Sequence, residues 1–419
     1  MDRFVDTVGL CGIAGARDAA TRVALGLEAL GHRGELDRRI VASEGLTAAP
    51  DAPLRPGLAI GEVHGQPPAE GLGGEAGEER LVVGRVRDRW VAVALAGRLT
   101  NGARLSEELT SGGAVLQTRT DAELLLHLIA TSSQRRFVNC VVDALWRVEG
   151  AYSLLVLTSE LLLAVRDPAG FRPLVLGRLN EAALVATEDA AVVAAGGEVR
   201  RPVQAGELLV LDGRGVQSVS PFPGRPPSAC VQELVALAAP DAAPFGIAVA
   251  EARAALARRL AEVAPCPGAE VVCGVPGYEQ VALAWAEAAG LPLRAALVVV
   301  CGGSDGLDDV RGPRWRAVTA AVRGLAVVLV APSVTTGAAS KRRSTRSTAR
   351  ARAGWTCGSP RRRRARRVRT AWPARPPRRC GRTAAARWGR PRPRRSRPPT
   401  CASSWARAIP PSTACATPA

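Results

Sequence analysis

Leu10-Cys11-Gly12-Ile13-Ala14-Gly15 is the stretch on which the fold turns. It places a cysteine near the chain start, ahead of a strand of small and apolar residues. Removal of the ten residues before it would free an α-amino group. With a pKa of about 7.7 to 8.0, that group can take the thiol proton, so Cys11 becomes a nucleophile carrying its own base. The same residue also fits a buried, inert thiol, the usual state of a free cysteine. Residues 1–10 lack the apolar segment of a secretory signal and read as a propeptide.

Outward from Cys11, residues 11–225 read as one domain of alternating helices and short strands. Ala20 to Leu30 and Asp121 to Ala130 carry apolar residues at helical spacing. Trp90 to Leu95, Tyr152 to Leu157, Leu161 to Val165, Pro173 to Leu176, Ala183 to Ala186 and Glu207 to Leu211 are apolar runs between turn residues, which predicts strands. Helices grouped against consecutive antiparallel strands predict a layered α+β sandwich. Ser220 to Ser228 is a Pro-rich break and a linker. In the second domain, 226–341, helices over Ala248 to Val263 and Gln280 to Ala289 alternate with buried-strand runs. Those runs, Glu270 to Cys273, Ala295 to Val300 and Leu325 to Val330, predict a parallel α/β sheet.

The 419 residues suffice for two or three domains of roughly 100 to 200 residues. Their net charge of +18 is concentrated at one end. From Lys341 onward there are 24 basic residues and no Asp or Glu, so the preceding 340 residues carry 32 basic against 38 acidic. Residues 342–419, rich in Arg and Pro, lose all hydrophobic periodicity. They read as the wrong reading frame of GC-rich DNA, as a solvated disordered tail, or as a nucleic-acid-binding tail, in that order of preference. No apolar run reaches the ~20 residues of a membrane span. Ten cysteines without regular spacing do not make a disulfide framework, so thiols are reduced and the expected location is cytoplasmic.

Further motifs follow in order: His32-Arg33-Gly34, Leu99-Thr100-Asn101, Thr120-Asp121-Ala122-Glu123, Gly150-Ala151-Tyr152-Ser153-Leu154, and Arg166-Asp167-Pro168-Ala169-Gly170-Phe171-Arg172-Pro173-Leu174. With Cys11, this series resembles the amidophosphoribosyltransferase family, and the RDPxGxRPL run is its most specific element. The resemblance runs from Cys11 to about Lys341. It implies an αββα N-terminal-nucleophile hydrolase sandwich followed by a type I phosphoribosyltransferase domain. It also implies glutamine and phosphoribosyl pyrophosphate as substrates, and 5-phosphoribosylamine as the product that opens purine synthesis. By motif, Cys11 is the nucleophile, Arg33 and Asp121 bind glutamine with Asp121 on its α-amino group, and the Gly97 N–H serves the oxyanion. Asp121 also reads as a helix N-cap.

The departures bear on activity. Where the family has GHVRYST, whose Arg grips the glutamine carboxylate, this chain has Gly61-Glu62-Val63-His64-Gly65-Gln66. Neutral His64 is a poor substitute for a bidentate guanidinium. Where the family has HNGNLTN, this chain has Leu95-Ala96-Gly97-Arg98-Leu99-Thr100-Asn101, so Ala96 replaces an oxyanion donor. In the second domain, Cys230-Val231-Gln232-Glu233-Leu234 with Ala239-Pro240-Asp241 resembles the family segment ending in ARPDS. Gly274-Val275-Pro276-Gly277 stands for its VPDSG pyrophosphate loop.

Val328 to Arg342, VLVAPSVTTGAASKR, stands for VLVDDSIVRGTTSKR. Ser333 and Gly337 survive as phosphoribosyl pyrophosphate-binding residues of a degenerate site, while Ala331 and Pro332 replace the two acidic residues. The resemblance implies Mg²⁺, whose ligands are missing from these motifs. Only Cys230 matches an iron–sulfur ligand position, so no such cluster is expected. A homo-oligomer is compatible with the resemblance. Together these readings predict impaired family chemistry or, as the alternative, a non-catalytic paralogue or decayed gene product that keeps the fold.

Overall fold

A computed structural model of the chain describes residues 8–33, 37–46, 57–64, 81–118, 120–212, 215–223, 225–300 and 314–331. Ser333, Gly337, the tail 342–419 and residues 1–7 of the expected propeptide lie outside the described residues.

The first region begins β1 (Val8–Ala14), α1 (Ala19–Ala29), β2 (Asp37–Ala42), β3 (Leu58–His64), β4 (Val82–Val86), β5 (Arg89–Leu99), α2 (Gly102–Ser111), α3 (Asp121–Thr131) and α4 (Phe137–Arg147). It continues β6 (Gly150–Leu157), β7 (Leu161–Arg166), β8 (Val175–Leu179), β9 (Ala182–Ala186), α5 (Asp189–Ala194), β10 (Glu198–Pro202), β11 (Leu208–Asp212) and β12 (Gly215–Val219). The strands form two six-stranded antiparallel sheets, ordered β10-β8-β9-β1-β3-β2 and β12-β11-β7-β6-β5-β4.

Alternation along each strand sorts side chains into layers. On β1, Leu10 and Ala14 enter the core between the sheets with Ile60, Ala94, Leu155 and Val185, while Cys11 and Ile13 pack outward with Val23 and Leu27 of α1 and Val192 of α5. On β5, Ala92, Ala94 and Ala96 face the first sheet; Val91, Val93 and Leu95 pack outward with Leu105 of α2, Leu125 of α3 and Val141 of α4. The result is the expected αββα sandwich.

Two local expectations change. The cap of α3 is Thr120, whose side chain accepts the Glu123 N–H at 3.4 Å, and Asp121 is the first helical residue. Strand β8 starts at Val175 rather than Pro173, since proline has no N–H to give a ladder.

Beyond the Pro-rich break come a π-helical turn over Glu233–Leu237, α6 (Val249–Val263), β13 (Val271–Gly274), α7 (Glu279–Ala289), β14 (Leu297–Val300), β15 (Arg314–Ala317), α8 (Thr319–Val322) and β16 (Val327–Val330). Strands β13 and β16 pair in parallel, as expected, with Val271 opposite Val327. Helix α7 covers one face through Ala282 and Trp285, and the other face packs Cys273, Ala296 and Val322. Strand β14 is not part of that sheet: it pairs antiparallel with β15. An apolar run signals burial, not which neighbour a strand will take.

Candidate functional site

Cys11 sits inside a sheet rather than at a chain end. It lies opposite Gly61 of β3 and Ala186 of β9, and is fully buried. Val8 to Leu10 continue the same strand, with Val8 opposite His64 and Leu10 opposite Glu62. The Leu10 N–H donates to Thr187 Oγ1 at 3.1 Å, and the Thr187 N–H donates to the Leu10 carbonyl at 3.0 Å. Above the sulfur, Gly26 of α1 leaves room that a side chain would not, since a Cβ there would be 2.6 Å from Sγ. Burial pushes the Cys11 thiol up to about 12, so at neutral pH it is protonated. In this form Cys11 is preceded by Leu10 and has no α-amino base.

Gly97 lies near the far end of β5, where Asp121 ties α3 to the strand. Gly97 has φ +137°, and a Cβ there would lie 2.0 Å from the Ala151 carbonyl oxygen, so only glycine fits. Asp121, at the start of α3, accepts the Leu99 N–H on Oδ2 at 2.8 Å and so ties the helix to the strand. The methyl group of Ala96 points into the core between the sheets. Cys11 belongs to the other sheet, and its sulfur faces α1 and α5, away from β5.

Arg33 is placed by the short 3₁₀ turn after α1 and is buried. Its Nε pairs with Glu188 Oε1, and its Nη2 lies 2.6 Å from Glu233 Oε2. Arg172 Nη1 reaches the other Glu233 oxygen at 2.9 Å, and His32 Nε2 lies 2.8 Å from Glu188 Oε1. Glu188 Oε2 accepts the Ala239 N–H at 2.9 Å. Burial alone would raise the Glu188 carboxyl, but Arg33, His32 and the Ala239 N–H outweigh it and hold it down to about 2. Burial likewise works against the charge on Arg33, and Glu233 and Glu188 more than offset it, raising its pKa. The guanidinium offered as a glutamine contact is thus engaged by two carboxylates of the chain itself.

The RDPAGFRPL loop is built to hold its own shape and to receive the second region. Asp167 accepts the N–H groups of Ala169, Phe171 and Arg172. Arg166 donates to the carbonyls of Gly170, Arg172 and Val203. The loop then takes the chain beyond the linker: Ser228 N–H donates to the Ala169 carbonyl at 2.7 Å and Cys230 N–H to that of Phe171 at 3.1 Å. Arg166 also lies over the Phe245 ring at 5.3 Å. Asp189 accepts the Ala243 N–H. Glu188 escaped the sequence reading because no local signal exists: its partners Arg33 and Ala239 are 155 and 51 residues away.

In the second region, Gly274 to Gly277 follows β13 as expected of a loop. Its Gly277 N–H is taken by the carboxylate of Glu279 at 2.9 Å. Ala331 directly follows β16 and supplies no oxygen ligand. Among the described residues no three His, Cys, Asp or Glu side chains gather to hold a metal. Cys230 is buried, and burial raises its pKa. No helix among the described residues is long and apolar enough to cross a membrane.

Residues 76–194 match the family described as "Glutamine amidotransferase domain". The chain is 36% identical over 312 residues to the chloroplastic amidophosphoribosyltransferase of Vigna aconitifolia, a match covering 69% of this chain and 62% of that protein. It is 31% identical over 359 residues to the amidophosphoribosyltransferase of Bacillus subtilis, covering 80% and 75%. The solved glutamine phosphoribosylpyrophosphate amidotransferase of B. subtilis, complexed with ADP and GMP, superposes with a TM-score of 0.68 at 29% identity. That match covers 80% of this chain and 77% of the solved one. The chain spans 62% and 54% of the length of the Vigna protein and of amidophosphoribosyltransferase 1 from Arabidopsis thaliana.

Proposed function

The chain belongs to the amidophosphoribosyltransferase family, and from that premise we propose that it carries a weakened form of the family reaction. In that reaction Cys11, freed at the chain start, attacks the side-chain amide carbon of glutamine. The C–N bond breaks, ammonia leaves with the thiol proton, and water hydrolyses the thioester to glutamate. Ammonia then displaces pyrophosphate from phosphoribosyl pyrophosphate to give 5-phosphoribosylamine. Asp121 pairs with the substrate ammonium and the Gly97 N–H stabilises the tetrahedral oxyanion, while Arg33 is taken up by Glu188 and Glu233 and has no part in holding glutamine in this reading. Ser333 and Gly337 remain from the phosphate-binding loop. Residues 1–10 have to leave for Cys11 to gain its amine.

One observation carries the reading: Cys11, Gly97 and Asp121 stand in family order on β1, β5 and α3, while Ala96 and Ala331 stand where the family has polar groups. Loss of one oxyanion donor costs about a hundredfold to a thousandfold in rate. Glutamate release by the purified full chain should therefore fall at least about a hundredfold below that of an active relative assayed in parallel, and Cys11→Ala should abolish what remains. Near-normal release overturns the reading. Release that is absent, with and without Cys11, selects the second one: a non-catalytic paralogue, favoured by the buried, protonated thiol of the unprocessed chain.

A further inference from the structure

The geometry points to Glu233 as a positioning residue for Cys11: a carboxylate from beyond the linker that keeps the two helices over the nucleophile closed. This rests on the reading of Cys11 as the reacting thiol. Three layers of contact carry it. The sulfur lies under Gly26 of α1, and the carbonyl of Ala191 in α5 lies within 3.2 Å of the same point on Gly26. Cys11, Val23, Leu27, Ala191 and Val192 form one buried cluster, so α1 and α5 together roof the thiol. At one end of that roof, α1 passes into the turn bearing Arg33, and α5 starts directly after Glu188. The Arg33–Glu188 pair therefore closes the two helices on each other at the edge nearest Leu10, which Thr187 clamps through both its N–H and its hydroxyl.

Glu233 completes this arrangement from outside the sandwich. Its two oxygens bridge Arg33 and Arg172 at 2.6 and 2.9 Å, and it is fully buried. Arg33 in turn is shared between Glu233 and Glu188, so the second carboxylate sets where the guanidinium sits. A buried ion pair that loses one partner leaves an uncompensated charge, which drives local rearrangement. With Glu233→Gln, the amide can accept from only one of the two arginines and must turn its NH₂ toward the other. The Arg33 end of the roof loosens, and the Leu10–Cys11 edge opens more often.

The experiment follows Cys11 alkylation by iodoacetamide in the folded full chain, read peptide by peptide by mass spectrometry. Cys140, on the inward face of α4 and buried in the other sheet's outer core, is the internal control. Glu233→Gln should speed Cys11 labelling about tenfold while Cys140 is unchanged, because local opening and global unfolding expose different sites. Glu233→Asp, which restores the charge on a shorter arm, should fall between the two. Equal acceleration of Cys11 and Cys140, or an unchanged Cys11 in folded Glu233→Gln, overturns the role. Should the glutamine variant not fold, Glu233→Asp decides alone: Cys11 labelling must rise severalfold over Cys140, and equal rates overturn the proposal. Glutamate release is not the readout. A variant that frees Cys11 yet releases no glutamate keeps the positioning role and removes only the glutaminase reading.

Discussion

Leu155 of β6 is fully buried between two six-stranded sheets, with helices on both outer faces, whereas β16, among the described residues, pairs in parallel with β13 alone and leaves Val328 and Val330 at the margin of burial. The sandwich closes three apolar layers over itself; the described residues after Ser228 form three small cores, two of which flank a two-stranded sheet. The contrast shows two ways in which a site departs from its family's motifs. In the sandwich, single side chains at the site have changed while the backbone that presents them, the Gly97 kink included, is intact. In the second region the Gly277 N–H is taken by the chain's own Glu279, and the side chain of the residue after β16 is only a methyl group. The joint between the regions is polar and buried, and it is built from the RDPAGFRPL loop, Arg33 and Glu188 on one side and residues 228–245 on the other.

Breaking that joint should have the largest effect. Arg33→Ala leaves Glu188 and Glu233 buried with less compensation and should cost about 3–5 kcal/mol in urea unfolding. An unchanged midpoint would mean that the regions contribute independently.

Acid probes the same joint more gently. The Glu188 carboxyl is held down to about 2 from an ordinary 4.5, so its contribution is complete above pH 4.5 and is lost as pH falls through 2. That shift corresponds to a contribution of about 3 kcal/mol. Unfolding free energies measured between pH 6 and pH 2 should fall more steeply for the native chain than for Glu188→Gln; parallel curves would remove this term from the joint.

The smallest effect sharpens the contrast between the two scaffolds. Gly277→Ala should cost only about 1 kcal/mol, because its φ of +85° is the only burden and a Cβ meets nothing within 4 Å. The same change at Gly97 should cost more, since its Cβ would meet the Ala151 oxygen. Equal midpoint shifts in thermal unfolding would contradict the difference in crowding.

Much of the fold was legible because its signals are local. The apolar spacing of Val23, Leu27 and Leu30 is sufficient for α1, and the runs around Tyr152 and Leu161 suffice for β6 and β7. Strand β3 announces itself less clearly, since Glu62 interrupts it. That carboxylate is buried and accepts the Leu81 N–H at 2.7 Å, a partner supplied from outside the strand. At the site, Cys11, Gly97 and Asp121 could be named from motifs. Their surroundings could not, and Arg33, named as a glutamine contact, proves to be paired with Glu188 and Glu233.

By itself the sequence settled which residues are helical or extended, where the chain breaks, and which family motifs stand in order, because propensity, periodicity and motif spacing act over a few residues. Only the tertiary structure decided that Cys11 faces α1 and α5 as a protonated thiol, that β14 leaves the parallel sheet, and that Glu233 reaches back across 200 residues to Arg33. Burial and charge pairing depend on which surfaces meet, and partners so far apart in sequence are brought together only by the packing of the sheets.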